Sequence, residues 1–153
     1  MANTYTQIHI QTVFAVKHRE GLILPEFRKQ LFGYIGQTIN ELGHKNIIVN
    51  GVSDHVHCFF GFRPTQSLSD MMREVKANAS NWVNRQEAMK HRFEWQEGYG
   101  AFSYSKSQVD AVYKYVENQE ERHKIKTFME EYVNMLEKSG VVYDPKYIFK
   151  ELI

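Results

Sequence analysis

Two histidines separated by one apolar residue are the side chains of this sequence best suited to chemistry. His55 and His57 flank Val56, directly after a short Ser-Asp connection. On a β-strand, residues i and i+2 point to the same side and lie roughly 6.5–7 Å apart, so both imidazoles can reach one metal ion. A His-x-His pair also occurs by chance among ordinary strand side chains. The pair alone therefore suggests a metal site without establishing one.

A tyrosine and a glutamine that could serve such a site lie four residues apart, further along the chain. Tyr115 and Gln119 share one face of a predicted helix, beside a stripe of valines. A tyrosine hydroxyl next to a metal ion can act as a nucleophile. Tyr113 and Glu117 form a second pair at the same spacing, so periodicity alone does not choose between the two tyrosines.

The elements that must position these residues follow from the hydrophobic pattern. Strands are predicted over residues 5–16, 45–52 and 55–62, with a fourth, interrupted by glycines, over 93–104. Helices are predicted from Pro25 to Gly43, from a cap at Ser67 onward, from a capping box at Ser105 to His123, and over 126–138.

The order strand, helix, strand, strand, helix, strand predicts an α+β fold with a ferredoxin-like (RRM-like) antiparallel sheet. Its first two helices cover one face, and a tyrosine-bearing helix follows at the C-terminal side. In this sheet the first and third strands are neighbours. We therefore expect an open second face that carries five polar side chains, Gln7, His9, Gln11, His55 and His57.

Size and composition limit the function classes. The chain has 153 residues, which suits one domain over 1–153, and 42% of them are hydrophobic. A net charge of +1 does not indicate a polyanion partner, so a nucleic-acid surface must be a local basic patch. Cys58 is the only cysteine, and no apolar run resembles a signal peptide or membrane span. We expect a cytoplasmic protein without a membrane partner.

Four ordered blocks of the sequence resemble a known family. They read TYTQIHIQTVFAVKHRE, GVSDHVHCFF, WQEGYGAFSYSKS and VYKYVENQEERHK, and together they extend over nearly the whole chain. The sequence resembles the HUH single-tyrosine transposases of bacterial insertion sequences (IS200-like), which move as single-stranded DNA. HUH denotes histidine, hydrophobic residue, histidine. Four blocks at compatible spacing are far more specific than the histidine pair.

The resemblance implies a role for each site residue. The family's nucleophilic tyrosine lies four residues before a glutamine that completes the metal site, a pattern that falls on Tyr115 and Gln119. His55 and His57 carry over as the other ligands, and the metal implied is Mg²⁺ or Mn²⁺. Within EERHK, many relatives have two adjacent histidines, whereas here only His123 of that pair is present. We assign no catalytic role to that position.

The resemblance also implies a reaction and partners. The tyrosine would attack DNA to leave a 5′-phosphotyrosine link and a free 3′-hydroxyl, and no nucleotide cofactor is implied, in agreement with the absence of a Walker-type glycine loop from the sequence. Family members act as homodimers and recognise DNA hairpins at transposon ends. Candidate phosphate contacts here are Arg63, Arg73, Lys76, Lys90, Arg92 and Lys106.

Three other interpretations remain open at this stage. The open sheet face could bind single strands without catalysis, with Phe59 as a stacking platform. The histidines could form a hydrolytic metal site in which Tyr115 is only structural. A transposase of this kind could also be a domesticated enzyme that acts on repeated palindromes.

Overall fold

The computed structural model describes residues 3–145. Four strands and five helices form this part of the chain, together with short 3₁₀ turns at Lys17–Arg19 and Lys106–Gln108. In chain order the elements are β1 (His9–Ala15), α1 (Arg28–Glu41), β2 (Lys45–Gly51), β3 (His55–Gly61), α2 (Leu68–Asn84), β4 (Gly100–Tyr104), α3 (Val109–Glu117), α4 (Gln119–Arg122) and α5 (Phe128–Lys138).

The four strands form one antiparallel sheet in the order β2-β3-β1-β4. This is the strand order of a ferredoxin-like sheet, so the predicted fold class is confirmed. The first and third strands are neighbours as expected, with Val13 opposite His57 and Ala15 opposite His55. The polar side chains of β3 therefore lie in the middle of the sheet, next to those of β1.

The larger core lies between the sheet and the helices α1 and α2. Phe14, Val56 and Phe60 point to this side and are buried with apolar residues of both helices, including Ile35 and Val75. The alternation of apolar positions in β1 and β3 predicted this face because strand side chains point alternately to the two sides.

The opposite face of the sheet is covered, so the expected open face is wrong. Phe59 of β3 is buried under Val112 and Val116 of α3, and the far end of the sheet packs against Phe128 and Leu136 of α5. The sequence pattern contained the reason, since the valine stripe of α3 and the apolar side of α5 each need a surface to bury against. Docking of the tyrosine-bearing helix through its valines was expected, but the packing of α5 on the same face was not.

Several element boundaries also differ from the prediction. The fourth strand is only Gly100–Tyr104, and the segment before it is a loop that contacts the sheet through one bridge between Val16 and Trp95. Gly98 has φ of +86°, a turn conformation that ends any strand before β4. The predicted helix over 105–123 is interrupted, because Asn118 has φ −93° and ψ 27° and separates α3 from α4.

The predicted caps are present. The Asp70 amide donates to Ser67 Oγ at 3.0 Å at the start of α2, and Ser105 and Gln108 form a reciprocal capping box before α3. Within residues 3–145, every helix is too short or too polar to cross a bilayer. The expected single domain, 1–153, includes residues 1–2 and 146–153, which lie outside the described residues.

Candidate metal and tyrosine site

His55 and His57 point from β3 towards α3 and α5, and both are fully buried. Each imidazole has a partner on its Nδ1 atom. Asp54 Oδ1 lies 2.7 Å from His55 Nδ1, and the Gln11 side-chain amide of β1 donates to His57 Nδ1 at 2.8 Å. The two Nε2 atoms are therefore both directed into the space beneath α5. For His55 this is the arrangement in which histidines bind a metal, because the Nδ1 proton is held by an acceptor and Nε2 faces the site. In His57 the Nδ1 atom accepts instead, so the proton of the neutral ring is on Nε2.

The carboxylate of Glu131, on α5, occupies the point on which these nitrogens converge. Glu131 Oε1 accepts from His57 Nε2 at 3.0 Å and from His123 Nε2 at 3.1 Å, and lies 3.5 Å from His55 Nε2. One ligand atom each from His55, His57 and Glu131 fall within 4.8 Å of one another. Two imidazoles and a carboxylate at this separation are a suitable donor set for a divalent cation.

Tyr115 reaches the same carboxylate from α3. Its hydroxyl donates a short hydrogen bond to Glu131 Oε2, the oxygen on the other side of the carboxylate from the histidines. The centroid of its ring lies 5.8 Å from that of His57. The Tyr115 hydroxyl and the Nε2 atoms of the two histidines therefore all contact the carboxylate of Glu131.

Gln119 lies at the first position of α4, fully buried between the tyrosine and the histidines. Its Oε1 accepts from His55 Nε2 at 3.3 Å, and its Nε2 lies 3.4 Å from Glu131 Oε2. All four residues singled out in the sequence, His55, His57, Tyr115 and Gln119, therefore meet in one buried site. The competing Tyr113 is 39% exposed and points away from it.

The pKa shifts in this cluster follow from burial and from Glu131. Burial acts to raise the pKa of Glu131, but hydrogen bonds from His123, His55 and His57 outweigh it and hold the pKa well below its usual range. Burial, and then the charge and hydrogen bond of Glu131, raise the pKa of Tyr115 well above that of a free phenol. In this arrangement Glu131 is a carboxylate and Tyr115 is a neutral phenol.

The pKa values of the two histidines shift in opposite directions. For His55, burial opposes the charged form, yet the hydrogen bonds that the ring donates to Asp54 and Glu131 outweigh burial and raise the pKa. For His57, burial dominates and lowers the pKa despite Glu131. His57 is consequently the histidine that stays neutral, and thus able to coordinate, at lower pH.

Contacts between α3 and the sheet hold Tyr115 in place. The valines of α3 pack on Phe59, and Asn50 of β2 donates to the carbonyl oxygens of Val116 and Glu117, each at 3.0 Å. These carbonyls lie at the end of α3, where the helix itself supplies no donor. Asn50 therefore secures the end of α3 just before the break at Asn118 that starts α4.

The sequence interpretation missed Glu131, Gln11 as a partner of His57, and Asp54. Glu131 had a detectable signal, because it falls on the apolar stripe of α5 between Phe128 and Met135. A charged residue within such a stripe is buried and must have partners there. Gln11 had been placed on the correct face of β1 but without a function.

The six basic residues proposed for DNA contact do not form a single cluster. Arg73 and Lys76 lie on α2, across the sheet from the histidines, and Lys76 Nζ donates to the Gln96 and Gly98 carbonyls at 2.8 and 2.9 Å. Two of the six are in ion pairs, Arg73 with Asp70 at 3.0 Å and Arg92 with Glu94 at 3.3 Å. The remaining three, all exposed, are Arg63, Lys90 and Lys106.

The proposed stacking platform is not available in this structure. Phe59 has no exposed surface and is covered by α3. The interpretation of the chain as a binding module that stacks bases on Phe59 is therefore wrong for this arrangement of the helices.

A cavity of about 700 Å³ gives access to the tyrosine side of the site. It lies between β4, α3 and α5, and Tyr115, Tyr104 and Gln11 form part of its wall. Asn134 and Lys138 of α5 also line it and supply polar and positively charged groups. A volume of this size is within the range of small-ligand sites.

Comparison with known proteins agrees with the fold described above. A Deinococcus radiodurans protein described as a candidate transposase superposes with a TM-score of 0.59 at 17% identity, over 78% of this chain and 96% of its own. A REP-associated tyrosine transposase, solved bound to a REP hairpin, gives a TM-score of 0.60 at 13% identity, over 100% of this chain and 98% of its own. At these identities the two structures establish the fold alone. A search of curated proteins finds no match.

The family assignment comes from the sequence model of the IS200-like transposases. That model matches residues 4–119, about three quarters of the chain, and the matched region includes both histidines, Tyr115 and Gln119. The chain belongs to the IS200-like transposase family.

Proposed function

We propose that this transposase cleaves and rejoins single-stranded DNA through a covalent bond between Tyr115 and a 5′-phosphate. The observation that carries the proposal is the convergence on Glu131 of the Tyr115 hydroxyl with the Nε2 atoms of His55 and His57. A tyrosine hydroxyl and three side chains that could hold a metal therefore lie side by side in a buried site. Separate structural roles for the tyrosine and the histidines would not require this proximity.

The residues present fit a divalent metal. His55, His57 and Glu131 would hold it, with the side-chain oxygen of Gln119 beside them. The carboxylate changes the expected ligand set, since three neutral ligands would not have favoured Mg²⁺ or Mn²⁺, whereas a carboxylate oxygen does. When bound, such an ion supplies positive charge that polarises a phosphate oxygen and favours the phenolate form of Tyr115.

The reaction proposed for Tyr115 exchanges one phosphoester bond for another. The Tyr115 oxygen attacks phosphorus as its proton passes to Glu131 Oε2, the bond from phosphorus to the 3′-oxygen breaks, and Glu131 passes that proton to the leaving oxygen to give a 3′-hydroxyl. In the joining step a second 3′-hydroxyl gives its proton to Glu131 and attacks the same phosphorus, and the Tyr115 oxygen leaves and recovers that proton. Because the bonds broken and formed are similar, joining needs no nucleotide cofactor.

The DNA strand is proposed to reach Tyr115 through the cavity between β4, α3 and α5. Lys138 and Asn134 at its wall offer contacts to phosphate and base. The exposed Arg63, Lys90 and Lys106, with Arg73, Lys76 and Arg92, are the proposed contacts for the rest of a DNA hairpin. The REP-associated relative bound to a REP hairpin supports hairpin recognition by this chain as well.

The assembly and the biological setting are parts of the same proposal. A homodimer is the expected oligomer, by analogy with the family. A domesticated enzyme that acts on repeated palindromes is the second candidate, and the hairpin-bound relative specifically favours it. Short subterminal palindromes next to the gene would indicate a mobile element, whereas palindromes dispersed through the genome would indicate the domesticated enzyme.

The decisive experiment is a covalent-adduct assay. The protein is incubated with labelled single-stranded DNA that carries a hairpin and with Mg²⁺ or Mn²⁺, then denatured and separated by electrophoresis. The wild type should retain label, and Tyr115→Phe should retain none. Tyr113→Phe is the matched control, because it removes an exposed hydroxyl from the same helix, and it should retain label as the wild type does.

The same assay separates the competing functions. Cleavage that survives Tyr115→Phe would indicate hydrolysis at the metal site and would overturn the proposal. Binding of the hairpin without cleavage by the wild type, in either metal, would indicate a binding module instead.

A further inference from the structure

A chain of two hydrogen bonds connects β4, β1 and β3 and ends on His57, one of the two histidines of the proposed metal site. Tyr104 of β4 donates its hydroxyl to Gln11 Oε1 at 3.0 Å, and Gln11 of β1 donates its amide to His57 Nδ1 at 2.8 Å. Gln11 is only 1% exposed. We propose that Gln11, held by Tyr104, is a positioning residue that sets which nitrogen of His57 is available to a metal.

Strand pairing explains how the three side chains meet. Val13 is opposite His57 on β3, and His9 is opposite Tyr104 on β4. Gln11 lies two residues along β1 from both Val13 and His9, so its side chain is on the same face of the sheet as those of His57 and Tyr104. The contacts therefore depend on the register of β1 with both neighbours. They do not involve α3 or α5.

The chemistry of an amide suits this position. As drawn by the hydrogen bonds, Gln11 donates to Nδ1, so the proton of neutral His57 is on Nε2, which donates to Glu131. A metal on Nε2 needs the lone pair there, and the proton must then be on Nδ1. A half-turn of the Gln11 amide places Oε1 to accept from Nδ1, and its NH₂ group can then donate to the Tyr104 oxygen.

The two histidines therefore differ in what fixes the position of the ring proton. Asp54 is a carboxylate and can only accept, so it keeps a proton on Nδ1 of His55 and leaves Nε2 for a metal. Gln11 can serve either tautomer of His57. Rotation of its amide is what converts His57 from a donor to Glu131 into a ligand. This inference rests on the proposed metal site at His55 and His57.

Metal affinity, measured without DNA, tests the role of Gln11. Mn²⁺ is titrated by calorimetry into the wild type, Gln11→Leu, Gln11→Glu and Tyr104→Phe. Leucine keeps the bulk but cannot bond to His57, so we expect a loss of about 10- to 100-fold in affinity, the usual effect of removing such a partner. Glutamate accepts from both His57 Nδ1 and Tyr104, so it should bind Mn²⁺ at least as tightly as the wild type. Tyr104→Phe should lose less than Gln11→Leu.

Gln37→Leu on the exposed surface of α1 is the matched control and should not change affinity. Thermal unfolding without metal shows whether each variant is folded, and the Gln11→Glu result separates positioning from packing. Affinity of Gln11→Leu within twofold of the wild type, or an equal loss in Gln11→Leu and Gln11→Glu, would overturn the inference. A wild type that binds no Mn²⁺ would instead overturn the metal site itself.

Discussion

Glu131 concentrates more polar contacts than any other side chain of the described site. It accepts hydrogen bonds from His57, His123 and Tyr115, and lies beside His55 and Gln119. A buried carboxylate is costly unless several donors satisfy it. The hydrogen bonds of the cluster satisfy the buried carboxylate of Glu131. A divalent cation would satisfy it equally well, and the imidazole nitrogens would then coordinate the ion instead of donating hydrogen bonds to Glu131.

The substitution Glu131→Gln tests the carboxylate as a ligand. It keeps the size of the side chain but removes the charge. Loss of a residue that only orients a metal ligand lowers metal affinity about 10- to 100-fold, so loss of a charged ligand should lower affinity for Mn²⁺ at least about tenfold. Calorimetric titration measures it. Glu130→Gln, an exposed neighbour on the same helix turn, is the control and should bind as the wild type does. An unchanged affinity in Glu131→Gln would mean that Glu131 only accepts hydrogen bonds.

The raised pKa of His55 predicts how metal binding depends on pH. The pKa of His55 in the folded protein is above its unfolded value of about 6.5. Protonation of His55 therefore stabilises the metal-free fold fully below about pH 6.5, and this stabilisation is lost as the pH rises through the folded-state pKa. A metal needs the unprotonated nitrogen, so Mn²⁺ affinity should increase over the same rise in pH. Asp54→Asn removes a cause of the shift and should move the increase to lower pH. Affinity that is flat between about pH 6 and pH 9 would contradict this.

At the level of elements, the end of α3 depends on one side chain of β2. Asn50 donates to two carbonyl oxygens there, and each bond contributes about 0.5–1.5 kcal/mol net. Asn50→Ala should therefore lower the free energy of unfolding by about 1–2 kcal/mol, or roughly 2–4 °C in Tm for each kcal/mol. Thermal unfolding measures the change, and Asn78→Ala on the exposed side of α2 provides the comparison. Adduct formation at Tyr115 should also slow, since the tyrosine precedes the freed end by one residue.

The elements that could be predicted are those in which the spacing of apolar residues marks a single buried face. β2, β3 and the start of α2 were predicted within one residue of the observed boundaries, because alternation and a capping residue define them locally. β1 begins at His9, four residues later than predicted. The helix carrying Tyr115 was predicted as continuous, whereas the observed α3 ends before Asn118, where Asn50 donates to the Val116 and Glu117 carbonyls from more than 60 positions away in sequence. A long-range contact of this kind leaves no local pattern.

The site was predictable only in part, for a related reason. The histidines follow from spacing within one strand, and Tyr115 with Gln119 from the family pattern. Glu131 comes from a different helix, and its position depends on α5 packing against β1 and β4 through Phe128 and Leu136. The assumption of an open face removed that helix from consideration, and with it the carboxylate.

For the whole molecule, the structure places Tyr115 in the same site as the histidines of its own chain. We therefore predict action in cis. Mixing Tyr115→Phe with His57→Ala protein should not restore adduct formation, because each site would lack one component. Restored adduct in the mixture, after denaturation and refolding together, would mean that the tyrosine serves the metal site of a partner.

The carboxylate that closes the site lies beyond residue 119, where the match to the family model ends. Tyr115 and both histidines thus come from the matched part of the chain, and Glu131 comes from the segment after it. If the C-terminal helix were exchanged between homologues, we expect the metal affinity of the proposed site and the pKa of Tyr115 to change while the histidine strand stays the same. In the proposed site, the carboxylate can therefore vary independently of the histidines and of Tyr115.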